Sequence, residues 1–195
     1  MLKDRLAMRL KAFLQRKAFV MRPNCNDQSL RELVCRGLTH DNNIGIEIGC
    51  YAGESTLQFL ATGKFQKLYC IDPWMTGYDK NDIASYTNKY AERDFDRRTA
   101  SRPEVVKIKD FSYQVAQMFD DHSIDFIYID GEHTYEGVRN DLDLYSRKVK
   151  ADGVIAGHDY VDGWGGVVKA VNEFFQVPPH ETFKDGSWLY FNERM

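Results

Sequence analysis

Short apolar runs alternate with helical periodicity through most of this chain of 195 residues. NIGIEI (43–48), KLYCID (67–72), EVVKIK (104–109), IDFIYID (124–130) and GVIAGHD (153–159) are brief and largely apolar, a pattern that predicts buried strands. Helical spacing falls between them. A glycine turn and a helix from about Glu54 to Ala61 follow the first strand, and over 135–149 Val138, Leu142 and Val149 share one face. Strands that alternate with helices imply right-handed crossovers, hence a doubly wound, mostly parallel α/β sheet covered on both faces. Near the end, ETFKDGSWLYFNE carries two strand-like runs about an Asp185-Gly186 turn, which predicts an antiparallel hairpin finishing the sheet. The stretch 73–103 is long, polar and aromatic, and reads as an insertion over the sheet's edge.

Two helices precede the first strand. In residues 1–22, Leu6, Leu10, Phe13 and Leu14 recur at helical spacing. A second helix follows Asn26 and Asp27, with Leu30, Leu33, Val34 and Leu38 on one face. Residues 1–40 thus read as a helical appendage to a single domain over 41–195. The first helix holds seven basic residues against one acid, so it is +6; the rest of the chain, by difference from the net −3, is −9. An acidic balance argues against a nucleic-acid partner that depends on phosphate neutralisation. The basic helix reads best as packing its apolar stripe on the domain or on a second copy of the chain, a homo-oligomer contact; an anionic surface is the rival partner. Cys25, Cys35, Cys50 and Cys70 form no CxxC pair and no zinc-type spacing, which points to reduced thiols in a cytoplasmic protein. No apolar run approaches the roughly 18 residues of a membrane span.

Chemistry concentrates at the strand ends. Glu47-Ile48-Gly49, Asp72, Asp130-Gly131-Glu132-His133 and His158-Asp159 each finish an apolar run. In open α/β sheets ligands bind at the carboxyl ends of strands, and an acid beside a sheet core costs free energy unless it is paired. In EIGCYAGEST, Gly49 and Gly53 permit a tight strand-to-helix turn that lets a ligand approach the backbone. The spacing is GxxxG rather than GxGxxG, which disfavours a nicotinamide cofactor. Asp72 ends the second strand about twenty residues beyond the first glycine, a position from which an acid accepts both hydroxyl hydrogens of a ribose. An adenosine-containing ligand with an anionic end fits both features, and S-adenosylmethionine is such a ligand.

The segment DGEHTYEGVRNDLDLYSRKVKADGVIAGHDY (130–160) is similar to a small group of class I methyltransferases with a DGxHxY…HDY pattern, which includes macrocin-type sugar O-methyltransferases. The resemblance covers about 43–175. It implies a Rossmann-like methyltransferase fold of seven strands with the last antiparallel, and S-adenosylmethionine as cofactor. It places Glu47, Gly49, Gly53 and Asp72 in the cofactor site, and Ser112 beside adenine. Phe111 stands where relatives carry an acid, a departure at the adenine contacts. The resemblance further implies Asp130 and Asp159 as ligands of a magnesium ion and His133 as general base. Relatives have two acids where this chain has His158-Asp159, and imidazole suits hard Mg²⁺ less well than a carboxylate does.

Methyl transfer to oxygen needs an aligned, deprotonated hydroxyl, which an imidazole base or a cation can provide. The implied activity is methylation of a small-molecule hydroxyl, on a sugar or natural product. Two alternatives stay open: a cofactor-binding regulatory module without catalysis, and a different, hydroxylase-like chemistry on the same fold.

Overall fold

The computed structural model describes residues 27–79 and 82–192; the helix expected over 1–22 lies outside them. Helix α1 (Asp27–Gly37) leads into strand β1 (Asn43–Ile48), helix α2 (Glu54–Leu60) and strand β2 (Phe65–Ile71). Helix α3 (Asn88–Thr99) and strand β3 (Val105–Ile108) follow, then the short α4 (Ser112–Val115) and strand β4 (Ile124–Ile129). Helix α5 (Tyr135–Tyr145), strand β5 (Val149–Gly157), helix α6 (Gly165–Phe175) and strands β6 (Glu181–Thr182) and β7 (Trp188–Phe191) complete the chain.

The seven strands lie in the order β3-β2-β1-β4-β5-β7-β6. Pairing is parallel from β3 through β5, and β7 runs antiparallel to both β5 and β6. This is the Rossmann-like methyltransferase arrangement, and the hairpin about Asp185-Gly186 sits where the turn signal put it. The period of two along β4 divides the core. Ile127 and Ile129 face one side with α5 and α6, whereas Phe126 and Tyr128 face the other with α1, α2 and α3.

Three expectations shift. The stretch 73–103 is not an insertion over the edge: it contains the crossover helix α3, which buries Ala91 and Phe95, four residues apart, beside Trp74. β5 begins at Val149 rather than 153, because a short 3-10 turn at Ser146–Lys148 ends the preceding helix early. The second half of the expected appendage is integral to the core: Leu33, Val34 and Leu38 are buried with Phe59, Val154 and Leu189. Cys35, Cys50 and Cys70 are free thiols. No described helix is long and apolar enough to cross a membrane.

The chain leaves β1 outward through β2 to β3, then returns to lay β4 on the other side of β1. Strand order therefore reverses between β1 and β4, and a crevice opens at their carboxyl ends.

Candidate active site

Gly49 follows β1 with φ 84°, and a Cβ there would stand 1.9 Å from the Asp130 carbonyl oxygen. Only glycine allows the ends of β1 and β4 to approach so closely. Gly53, φ 82°, makes the second sharp bend and starts α2. Glu47 lies beneath this loop with no exposure. It accepts from the Ser55 hydroxyl and, at 2.5 Å, from the Thr56 hydroxyl, tying β1 to α2. Burial pushes its carboxyl up to about 7 against those two hydrogen bonds.

Asp72 is also buried, at 3% exposure. Its Oδ2 accepts the Tyr51 N–H at 2.9 Å and its Oδ1 the Trp74 N–H at 2.6 Å, bracing the loops after β1 and β2. Burial raises its pKa to about 6, with the backbone donors acting in the other direction.

Between these loops and α5 lies an open cleft that merges with solvent. Ile48, Gly49, Ile71 and Pro73 line it from the β1 and β2 ends, and Phe111, Ser112, Tyr113, Gly131 and Asp141 from the β3 and β4 ends. The Ser112 hydroxyl donates to Asp141 Oδ1 at 2.5 Å. Asp141 is 4% exposed, and burial pushes its carboxyl up to about 7. Gly49 and Ser112 line this cleft directly, whereas Gly53 and Asp72 lie in the adjoining loops and Glu47 beneath them. The cleft has a glycine at its floor and apolar residues on its flanks, and it opens to solvent.

The second assembly sits at the ends of β4 and β5. His133 Nε2 lies 2.9 Å from Asp159 Oδ2 and 3.6 Å from Asp130 Oδ1. His158 Nδ1 lies 3.3 Å from Asp159 Oδ1 and 3.8 Å from Asp130 Oδ1. Asp159 adopts φ 59°, a left-handed conformation that aspartate tolerates better than most residues. Burial opposes a charged imidazole, yet Asp130 and Asp159 more than reverse this and raise His133 to about 11. His158 rises to about 9 against the same burial, through Asp130 and Asp159. Burial likewise opposes the Asp159 carboxylate, but the two imidazoles hold it well below the usual range. Burial holds Asp130 above that range, although His158 and His133 act against the shift. One ligand atom from each of Asp130, His133 and Asp159 lies within 4.8 Å of the others, so the set fits a divalent cation.

Three contacts of the site are not foreseen in the sequence reading. Asp79, 1% exposed, accepts the His133 backbone N–H at 3.1 Å, and His133 Nδ1 lies 3.2 Å from the same oxygen. This contact turns Nε2 toward the two acids. Trp164 stacks on the His133 ring, centroids 4.5 Å apart. Asp141 is the third, and it had a signal: an acid between Val138 and Leu142 on the apolar face of α5 is a buried polar position that requires a partner. Asp79 had none, because it lies in a loop without periodicity.

A seven-stranded doubly wound sheet with this crevice defines a Rossmann-like methyltransferase fold. The chain belongs to the methyltransferase domain family, whose model matches residues 46–160. An uncharacterized protein of Acanthamoeba polyphaga mimivirus is 31% identical over 134 residues; the match spans 66% of this chain and 57% of the viral protein. Among solved structures, a structural-genomics protein from Corynebacterium glutamicum superposes with TM-score 0.60 at 12% identity, covering 95% of this chain and 89% of that one. A precorrin-6y methyltransferase from Geobacter metallireducens gives TM-score 0.54 at 17% identity, covering 75% and 67%. A phosphoethanolamine N-methyltransferase from Haemonchus contortus, solved with phosphoethanolamine and S-adenosylhomocysteine, gives TM-score 0.50 at 16% identity, covering 80% and 33%. Likenesses this distant establish a shared fold.

Proposed function

We propose that the protein transfers a methyl group from S-adenosylmethionine to a hydroxyl of a small molecule, a sugar or natural product. One observation carries the reading: an open cleft at the ends of β1 and β2 and a paired acid–imidazole assembly at the ends of β4 and β5 lie on the same carboxyl side of the sheet. S-Adenosylmethionine supplies an electrophilic methyl group on a sulfonium. In this reading Gly49 and Gly53 let it approach the backbone, Asp72 accepts from the ribose hydroxyls through lone pairs left by Tyr51 and Trp74, and Ser112 borders the ring. The family assignment supports methyl transfer, and the Haemonchus enzyme's S-adenosylhomocysteine supports the cofactor.

The acceptor hydroxyl has to lose a proton, and His133 is the group aimed at the crevice. An imidazole raised to about 11 already holds its proton at neutral pH, so it is no base while Asp130 and Asp159 face it alone. A divalent cation held by Asp130 and Asp159 would replace that charge and favour the alkoxide form of an acceptor. The mixed carboxylate and imidazole set suits Mn²⁺ or Fe²⁺ as well as Mg²⁺. The test incubates the protein with methyl-labelled S-adenosylmethionine and pooled hydroxylated metabolites, with and without EDTA, and follows label by mass spectrometry. Label on an oxygen, lost with EDTA, is the expected result. Label on nitrogen or carbon alone would overturn the acceptor class, and no label in any product would remove the enzyme reading.

A further inference from the structure

Cys50 and Cys70 stand far apart in the sequence, where no zinc-type spacing shows, and the fold brings both thiols to Glu47. Cys70 on β2 lies directly opposite Glu47 on β1, so the two side chains leave the sheet on the same face. The Cys70 Sγ is 3.8 Å from Glu47 Oε2. The turn after β1 folds Cys50 back toward them, its Sγ 3.4 Å from the Glu47 carbonyl oxygen and 3.7 Å from that of Ile71. One ligand atom from each of the three residues lies within 4.8 Å of the other two, and none of the three is more than 1% exposed.

These lengths match a metal site. Zinc holds thiolate sulfur at about 2.3 Å and carboxylate oxygen at about 2.0 Å, so a tetrahedron sets two sulfurs about 3.8 Å apart and sulfur about 3.5 Å from oxygen. The separation of Cys70 and Glu47 already falls close to that edge. The surroundings agree. Burial pushes both thiols up and Glu47 up to about 7, so three groups able to carry negative charge share one buried place. Among the described residues, what chiefly acts on Glu47 besides burial is the Ser55 and Thr56 hydroxyls, the Cys50 thiol and the Asp130 carboxylate, none of them a cation. Thiols are weak hydrogen-bond donors, so exchanging their protons for a metal forfeits little. The Ser55 and Thr56 hydroxyls need not leave Glu47, because a carboxylate has about four lone-pair positions.

We infer that Glu47, Cys50 and Cys70 form a site for a thiophilic divalent cation, Zn²⁺ or Cd²⁺, beneath the loop that joins β1 to α2. Binding forms two metal–sulfur bonds and one metal–oxygen bond, while the two thiol protons and the carboxyl proton leave to solvent. No oxidation state changes. The ion ties β1, its loop and β2 together at one point, next to Gly49 and Tyr51. Softness separates this site from Asp130, His133 and Asp159, which offer no sulfur and suit a harder ion. Nothing in the site depends on methyl transfer.

The test uses the full chain carrying Cys25→Ser and Cys35→Ser, reduced and metal-free, so that Cys50 and Cys70 are its only thiols. Titration with Cd²⁺ should raise a sulfur-to-metal charge-transfer absorption that saturates at one ion per chain, and Co²⁺ should give the visible spectrum of a tetrahedral site. Competing Zn²⁺ should abolish both signals, and the thermal midpoint should rise with Zn²⁺ concentration. Adding Cys50→Ser or Cys70→Ser should remove the charge-transfer band, whereas Asp159→Ala should leave it intact. If a cysteine variant fails to fold, cadmium NMR of the parent chain counts the sulfur ligands directly, and two are expected. An ion held only by oxygen and nitrogen, no charge-transfer band at saturating Cd²⁺, or a band unchanged in either cysteine variant would overturn the assignment.

Discussion

Among the buried acids around the strand ends, Asp159 ends opposite to Glu47, Asp72 and Asp141, and to its own neighbour Asp130, which burial holds up. Glu47, Asp72 and Asp141 each sit without a cation and lean on hydroxyl or backbone donors, and burial pushes all three up, to between about 6 and about 7. Asp159 is also removed from water, yet His133 and His158 hold it far below the usual carboxylate range, while the imidazoles themselves are pushed up to about 11 and about 9. Neutral hydrogen bonds relieve a buried carboxylate only in part, whereas opposite charges reverse the shift at Asp159, where both imidazoles are closer than they are to Asp130. The cleft side is suited to bind and the cluster side to handle charge.

The largest effect should come from breaking the charged side. His133→Ala and Asp159→Ala should each lower turnover on the order of 10²- to 10⁴-fold, the usual contribution of an acid–base group. Affinity for S-adenosylhomocysteine should change by less than about threefold, because the loss belongs to the acceptor half. Steady-state kinetics beside calorimetry read both. Full activity in both variants would make the cluster structural.

The next effect sharpens the contrast through pH. Glu47 titrates near its ordinary 4.5 when unfolded and at about 7 when folded, so its folded form prefers the proton. Its neutral state is favourable below about 4.5, and stability is lost as pH rises through about 7, in total about 3 kcal/mol. Asp130, Cys50, Cys70 and the Ser55 and Thr56 hydroxyls surround it, and Asp72 and Asp141 act in the same direction. Asp159 acts oppositely, its contribution vanishing as pH falls below the ordinary carboxylate range. Urea unfolding of Glu47→Gln should show a flatter pH dependence between pH 4.5 and 7 than the wild type does. An unchanged slope would mean Glu47 stays ionised in the folded protein.

Asp72 offers the third comparison. Asp72→Ala should weaken S-adenosylhomocysteine binding by about 1.5–3 kcal/mol, the range for a charge-assisted partner. Part of this comes from loosening the loops that its two backbone acceptor bonds hold together. Calorimetry decides it: undiminished affinity would leave Asp72 as a loop brace only.

What could be read in the sequence was local. Five strands, the terminal hairpin and the acids at strand ends show themselves because each is a short run with its own turn residue attached. The helix Asn88–Thr99 escaped because its buried positions alternate apolar Ala91 and Phe95 with polar Asn88 and Thr99, so no apolar stripe shows among its charged neighbours. The partners of the site escaped for a different reason. Asp79 reaches His133 across 54 positions and Asp141 reaches Ser112 across 29, distances that no periodicity reports. Ser112 and Asp72 lie beyond the carboxyl ends of β3 and β2, and the bonds that already occupy them depend on the folded loops.

The smallest effect concerns the beginning of the chain. Helix α1 places Leu33, Val34 and Leu38 against Phe59, Val154 and Leu189, and Gly37 packs so closely that a Cβ would stand 3.1 Å from the Val154 and Leu189 side chains. This helix belongs to the fold, so Leu33→Ala should cost about 2–5 kcal/mol, as buried leucine truncations do. Residues 1–22 precede every described core contact. Their removal should shift the thermal midpoint by no more than a few degrees, equivalent to less than about 1 kcal/mol. Scanning calorimetry of the truncated chain beside Leu33→Ala ranks the two. If truncation broadens the transition or costs as much as the leucine variant, the core begins before residue 27. If it leaves the transition sharp but changes the sedimentation coefficient, the basic segment serves an interface between copies instead.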